Sequence, residues 1–162
     1  MSRTIEDVSV GDPVGPVSIG LSIQRLVMIA AANRDFAPTH HDAAVARATG
    51  ADGAYTNMMF VMAMMERAVQ AWGGSASRLR ALSSVRMVAF NRAGDTVTCR
   101  GTVTAVDTET REVSLELWLE TEPDRRTATA AARVTLPSAA SAFRGEERTS
   151  RQDGSKPAIR RR

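Results

Sequence analysis

The sequence predicts an α+β fold in which an antiparallel sheet wraps around one long central helix. The run from Tyr55 to Trp72 is apolar on every side of a helix, which is typical of a helix buried inside a domain. The segments that follow it alternate apolar and polar residues, the pattern of half-buried strands. A buried helix followed by consecutive strands favours a sheet packed around that helix.

Length and charge favour one domain followed by a basic tail. The 162 residues suffice for a single hydrophobic core, which we place in residues 1–137. Residues 144–162 hold seven Lys or Arg, three acidic residues and almost nothing apolar, so we expect residues 138–162 to be a disordered tail. Residues 1–143 then carry a net charge of −1, although the whole chain carries +3. This body lacks the basic field of a nucleic-acid-binding domain.

Other features argue against a membrane, an export signal or a metal. No run of about 18 apolar residues is free of polar interruption, so we expect no membrane span. Acidic residues stand near the N-terminus where an export signal has its apolar region. The lone Cys99 cannot form an internal disulfide, which fits a reducing cytoplasm, and it is predicted to be inert packing. Two histidines without a Cys/His cluster predict no metal site.

The first part of the chain predicts one strand and three helices. Ser22 stands where a helix cap would, and Asp42 can cap a second, short helix that Gly50 ends. The central helix ends at a pair of glycines. We expect its many methionines to lie in the core, although flexible Met side chains also suit a wide acyl pocket. The predicted elements are a strand over 17–23 and helices over 24–33, 43–49 and 55–72.

The rest of the chain predicts four strands, over 83–91, 95–106, 112–121 and 128–136. In the second of these, one side is predicted to carry Val97, Cys99, Gly101, Val103 and Ala105. Residues 107–112 are typical of a hairpin loop. A single small sheet has open edges, so a dimer is expected.

A short loop places a carboxylate and an imidazole near each other. Asp35 and His40 are separated by Pro38, and the long apolar helix follows. Imidazole titrates near neutral pH and the pKa of a carboxylate shifts with its surroundings, so the two can act as an acid–base pair. Taken alone, Asp35 is more often a helix or loop cap, and His40 is more often a loop histidine bonded to the backbone. Together they indicate catalysis, whereas the neighbouring His41 is expected to point outward.

The segment Asp35-Phe-Ala-Pro-Thr-His40 resembles the Asp-x-Asn-Pro-Ile/Leu-His signature of the MaoC-like (R)-specific enoyl-CoA hydratases and acyl dehydratases, and the similarity covers about residues 8–136. The resemblance implies a hot-dog fold. It also implies water addition to, or removal from, a CoA or acyl-carrier-protein thioester, with no cofactor beyond the CoA thioester substrate. Asp35 and His40 match the pair that activates water. Residues Thr56, Asn57 and Met58, at the helix start, would then bind the thioester oxygen.

The chain departs from this family pattern at two places. Ala37 replaces the Asn of the signature, and Thr56-Asn57 replaces the His-Gly pair that usually begins the central helix. The resemblance implies a homodimer or a heteromer with another MaoC-like chain, as in small subunits of actinobacterial hydratases that act on steroid side-chain enoyl-CoAs. Two alternatives stay open: a non-catalytic hot-dog subunit of a heteromeric hydratase, and a hot-dog acyl-CoA thioesterase.

Overall fold

A computed structural model describes residues 2–122 and 125–140. A five-stranded antiparallel sheet packs on one long helix, which confirms the predicted α+β architecture. The strand order β1-β3-β4-β5-β2 leaves β1 and β2 at the edges. Most of the predicted tail, residues 141–162, lies outside the described residues. The elements are β1 (Pro13–Gly20), α1 (Ile23–Ala32), α2 (Ala43–Ala48), α3 (Met58–Gly73), β2 (Arg78–Met87), β3 (Thr96–Asp107), β4 (Glu112–Glu122) and β5 (Arg125–Thr135).

The caps of α1 and α2 are those that the sequence predicted. The hydroxyl of Ser22 accepts the N–H of Arg25, and a carboxylate oxygen of Asp42 accepts the N–H groups of Ala44 and Val45. These bonds satisfy backbone donors that a helix start leaves free. Both helices therefore begin where their capping residues place them, on either side of the Asp35–His40 loop.

The β3–β4 hairpin is confirmed, and β4 is the centre of the core. The side chain of Asp107 accepts the N–H groups of Glu109 and Thr110 and so fixes the turn. The inward-facing residues of β4 are fully buried against α3, as their alternation predicted. They are Val113, Leu115, Leu117 and Leu119.

Two bulges make the observed strands differ from the predicted ones. The prediction that the first strand begins at Val17 is wrong, because β1 starts at Pro13 and continues through a bulge between Val14 and Val17. Gly15 lies in that bulge at φ +84, and a Cβ there would lie 2.6 Å from the carbonyl oxygen of Cys99. A second bulge follows Val103, so Ala105 is exposed and does not share the inward side. Alternation alone cannot place such an extra residue.

The central helix is shorter and less buried than its composition indicated. It begins at Met58, whereas Tyr55 forms an isolated bridge with Arg92. Met64 and Met65 are buried, but Met58 is 37% exposed and Met59 is 49% exposed. The expectation that the helix is buried on every side is therefore wrong, because its first turn and a face farther along it, including Ala63, Arg67 and Gln70, are exposed. None of the described helices is long and apolar enough to cross a membrane.

Cys99 packs inside the sheet, where the sequence placed it. Its side chain is fully buried among the core residues of β1, β3 and α3. Burial raises the pKa of the Cys99 thiol to about 12. Because the thiolate is the reactive form, this cysteine is inert near neutral pH.

Candidate active site

The end of α1 turns Asp35 back toward the centre of the molecule. Arg34 adopts φ +54, in the left-handed region, and so reverses the chain direction. The N–H of Asp35 then donates to the carbonyl of Ala30 at 2.9 Å, a bond that continues past the helix end. One carboxylate oxygen of Asp35 lies 3.4 Å from the N–H of Ala37. The main chain of Asp35 is thus anchored to the end of α1, and one backbone N–H faces its carboxylate.

A single turn of 3₁₀ helix, Pro38–His40, carries the imidazole into the protein. Proline is well suited to the start of such a turn because its φ is already fixed. His40 is 6% exposed, and its Nδ1 lies 2.7 Å from the carbonyl oxygen of Tyr55. A carbonyl can only accept, so Nδ1 carries a hydrogen and donates it. The Tyr55 ring also contacts the imidazole edge-on, with ring centroids 5.7 Å apart.

The second imidazole nitrogen meets the carboxylate. His40 Nε2 lies 3.1 Å from Asp35 Oδ2. The side chain of Asp35 is 37% exposed, whereas that of His40 is 7% exposed. Since Nδ1 is committed to Tyr55, Nε2 is the imidazole nitrogen that faces the carboxylate. The two predicted residues therefore form a pair whose carboxylate side is open to a substrate.

Asn57 adds a third side chain to this pair. Its Nδ2 donates to Asp35 Oδ2 at 3.1 Å, while its Oδ1 accepts the N–H of Phe60 at 3.0 Å and so caps α3. The hydrogen bond from Asn57 is the main reason that the pKa of Asp35 lies below its ordinary value. Partial burial opposes this effect, and the Ala37 N–H and His40 add to it. Asp35 thus receives one side-chain amide hydrogen, and it comes from the start of α3.

The other predicted residues at the helix start differ in whether their backbone N–H groups are free to bind a substrate. The N–H of Thr56 already donates to the carbonyl of Asn91 at 2.9 Å. The N–H groups of Met58 and Met59 have no acceptor within residues 2–122 and 125–140, as expected of the first turn of a helix. Substrate contacts by Thr56, Asn57 and Met58 stay a prediction, and the geometry favours the backbone of Met58. His41 is exposed, in agreement with its prediction.

Behind the helix start lies a buried polar residue that the sequence reasoning did not single out. Asn91 is fully buried, and neither polar atom of its amide has a partner among the described residues. The hydroxyl of the adjacent Thr56 is also buried and unpaired within this part of the chain. The backbone around Asn91 nevertheless anchors the segment that leads into α3. The carbonyl of Asn91 accepts the N–H of Thr56, and the N–H of Ala93 donates to the carbonyl of Ala54.

Replacing Asn91 by Val is expected to stabilise the fold. The variant keeps the backbone bond to Thr56 and removes two buried polar atoms, which should contribute about 1 kcal/mol or more. In a chain of this size that corresponds to a rise of about 2–4 °C in Tm. Thermal unfolding followed by circular dichroism measures it, with Gln70→Leu on the exposed face of α3 as a control that should give no gain. A lower Tm for Asn91→Val would show that the amide is bonded in solution.

A cleft of about 560 Å³ lies between α1 and α3. Its floor and walls are mainly apolar and include Met28, Ile29, Phe60 and Met64. Asp35, His40 and Asn57 are not among its lining residues, but Phe60, which lines it, donates its N–H to Asn57 Oδ1. A volume of this size is ordinary for a small-molecule site. Within the described ranges, no three His, Cys, Asp or Glu side chains are grouped closely enough to hold a metal ion.

Comparison with known proteins decides the family. The family described as the MaoC-like domain matches residues 7–122, well over half of the chain. This chain belongs to the MaoC-like family. The family that the sequence predicted is thereby confirmed.

Individual MaoC-like proteins extend this comparison. The 3-oxo-4,17-pregnadiene-20-carboxyl-CoA hydratase beta subunit of Mycobacterium tuberculosis is 34% identical over 82 residues, which cover 51% of this chain and 63% of that protein. The match thus spans less than two thirds of the relative. One chain of the ChsH1–ChsH2 complex of M. tuberculosis superposes with a TM-score of 0.73 at 25% identity, covering 80% of this chain and 98% of that chain. The (R)-hydratase of A. caviae involved in PHA biosynthesis gives 0.74 at 24% identity, covering 82% and 99%. These neighbours confirm the hot-dog fold.

Two functional contacts escaped the sequence reasoning for identifiable reasons. The helix was expected to begin at Tyr55, so Asn57 was placed inside it and its capping role was missed. Asn is among the preferred N-cap residues, and that preference was the available signal. The bond from His40 to the carbonyl of Tyr55 has no signal in the sequence, because any residue supplies a carbonyl.

Proposed function

We propose that this MaoC-like chain adds water to, or removes it from, a 2-enoyl/3-hydroxyacyl thioester through the acid–base pair Asp35 and His40. The observation that carries the proposal is the 3.1 Å contact between His40 Nε2 and Asp35 Oδ2, with Nδ1 fixed by Tyr55. Family membership supports hydratase or dehydratase chemistry in general. The geometry supports these two residues as the groups that move protons.

In the proposed mechanism, one proton that passes between Asp35 and His40 completes the catalytic cycle. In hydration, the Asp35 carboxylate takes a proton from water as its oxygen bonds to the β-carbon, and His40 Nε2 gives its proton to the α-carbon. Afterwards Asp35 carries a proton and Nε2 carries none, and transfer across the 3.1 Å contact restores the starting state. A base and an acid that exchange one proton are what syn addition of water needs. Dehydration is the same path reversed, and neither direction calls for a metal or redox cofactor.

The start of α3 is placed to stabilise the thioester. During water addition, negative charge develops on the thioester oxygen. Free N–H groups at the first turn of a helix, together with the helix dipole, favour that charge. We assign this role to the N–H of Met58, because the N–H of Thr56 is already bonded. Asn57 connects the acid–base pair to the start of α3, because its side chain both caps α3 and donates to Asp35.

The substrate that fits this site best is a bulky acyl thioester. The α1–α3 cleft of about 560 Å³ is much larger than a short straight acyl chain requires. The M. tuberculosis relative is named for a substrate with a polycyclic acyl group, which supports the same size class here. The acyl carrier is CoA or an acyl carrier protein, and we propose CoA in line with that name.

The decisive experiment is a hydration assay with 2-enoyl-CoAs of increasing bulk. Loss of the absorbance of the conjugated thioester reports addition of water. We expect turnover of a bulky enoyl-CoA to exceed that of crotonyl-CoA. Release of free thiol from a saturated acyl-CoA, without loss of conjugation in any enoyl-CoA, would instead assign the chain as a thioesterase.

Replacing Asn57 by Ser is expected to slow turnover and shift its pH profile. Ser still caps α3 but cannot donate an amide hydrogen to Asp35. Because Asn57 holds the pKa of Asp35 down, its loss raises that pKa. Less of the carboxylate is then ionised at mildly acidic pH, so the acid limb of kcat/KM moves to higher pH. We expect kcat to fall about tenfold with little change in Tm, since one charge-assisted hydrogen bond is lost. An unchanged pH profile would remove Asn57 from this role.

A second candidate function is a subunit that works only with another MaoC-like chain. Large apolar side chains near the pair are exposed: Phe36 is 73% exposed, and Met58 and Met59 begin α3. The two M. tuberculosis relatives are described as a beta subunit and as part of a complex. Activity that requires co-purification with a second MaoC-like chain would favour the heteromer. Activity of the purified chain alone would favour a homodimer.

A further inference from the structure

The two helices that line the α1–α3 cleft present matching stripes of residues. Arg25, Met28, Ile29 and Ala32 line it from α1, and Phe60, Ala63, Met64 and Arg67 line it from α3. Both sets follow the spacing i, i+3, i+4, i+7, which places each set on one face of its helix. Each stripe is apolar except for the arginine at one of its ends.

The two arginines stand at the end of the cleft remote from the catalytic pair. Asp35 follows α1 directly and bonds Asn57, so the end of α1 lies beside the start of α3. Arg25 is seven residues before Ala32, and Arg67 is seven residues after Phe60. At 1.5 Å per residue, Arg67 lies about 13 Å along α3 from Met58, and Arg25 lies about 10 Å along α1 from Ala32, which itself precedes Asp35. The cleft is therefore apolar near the reacting groups and cationic at its far end.

The guanidinium groups are available to a ligand. Arg67 is exposed and makes no hydrogen bond or ion pair within the described part of the chain. Arg25 donates one N–H to the carbonyl of Gly20, which anchors its guanidinium beside the cleft and leaves other donors free. Gln24 also lines this end. Such donors recognise oxygen acceptors, and carboxylates above all.

We propose that Arg25 and Arg67 form a subsite for an oxygen acceptor, a ketone or a carboxylate, at the far end of the acyl group. The subsite rests on the proposed function in one respect, that the acyl group lies in this cleft. A purely aliphatic acyl chain would leave two guanidinium groups facing apolar atoms. An acyl group that ends in an oxygen acceptor about 13 Å from the thioester matches both ends of the cleft.

Binding of unreactive saturated acyl-CoAs tests the subsite without catalysis. Three ligands of equal medium chain length end in a methyl group, a ketone and a carboxylate. Isothermal titration with the purified protein, in the assembly it forms, gives Kd for each ligand. We expect the carboxylate ligand to bind about tenfold tighter than the methyl ligand, as charge-assisted hydrogen bonds imply, and the ketone to fall between them. Arg67→Gln and Arg25→Gln should each reduce this preference, whereas Arg47→Gln on the exposed face of α2 should leave it intact.

Each outcome of this experiment either supports or overturns the proposed subsite. Equal binding of the three ligands by the wild-type protein overturns it, and hydration activity in the same preparation would leave the proposed function standing. Equal weakening of all three ligands and of free CoA in Arg67→Gln also overturns it, because the arginines would then bind CoA phosphates. A preference that the arginine variants lose supports the subsite even where no enoyl-CoA is hydrated.

Discussion

Asp35→Asn is expected to lower kcat for hydration by about 10²–10⁴-fold, the usual contribution of a general acid or base. An amide cannot accept the proton of water, so the step that makes the nucleophile is lost. The fold should be unaffected, because the Asn carbonyl can still accept the Nδ2 hydrogen of Asn57 and the variant has the same shape. The measurement is the initial rate of absorbance loss with the best enoyl-CoA, together with the Tm.

Asp42→Asn is the matched control for this variant. Asp42 lies in the same loop but caps α2 and is exposed. Asn is an equally good N-cap, so α2 should remain intact and kcat should stay within about twofold. Full activity in Asp35→Asn would refute the proposed mechanism, whatever the control shows.

His40→Asn should cause a loss of the same order. The Asn amide nitrogen lies close to the position of Nδ1 and can keep the bond to the Tyr55 carbonyl, whereas the group that faces Asp35 is removed. The proton for the α-carbon then has no donor, and we expect kcat to fall about 10²–10⁴-fold. The readout is the same absorbance assay, with circular dichroism to verify folding.

The neighbouring histidine and a double variant make this prediction specific. His41→Asn changes an exposed imidazole beside the site and should leave kcat nearly unchanged. Combining Asp35→Asn with His40→Asn should be little worse than the more damaging single change, because residues that act as one unit are not additive. Multiplied losses would show that the two residues act in separate steps.

Three strands and the helix caps could be predicted closely because their signals are local, whereas the strand predicted over 83–91 lies at Arg78–Met87. β4 alternates cleanly, and Ser22 and Asp42 stand directly before apolar runs. The start of β1 could not be predicted from the sequence, because its bulge depends on how closely Gly15 approaches the backbone of Cys99 on β3. The exposure of Met58 and Met59 could not either, since composition shows that a helix is apolar but not which of its turns has neighbours.

The candidate site was predictable in its residue types but not in its supporting contacts. Asp35 and His40 could be chosen because their chemistry and spacing within six residues are unusual. Asn57 is 22 positions from Asp35, and only the fold shows that its amide bonds the Asp35 carboxylate. The arginines of the cleft are separated by 42 positions, and only the fold shows that both line the same cleft.

The two groups that we propose as proton-transferring, Asp35 and His40, lie in one continuous six-residue stretch of a single polypeptide. In any paired assembly, one copy of this stretch suffices for each reaction centre. A sister chain can therefore diverge at its own equivalent positions without loss of turnover, as long as it still encloses the acyl group. Duplicated genes of this kind are free to specialise, one in reactivity and the other in shape.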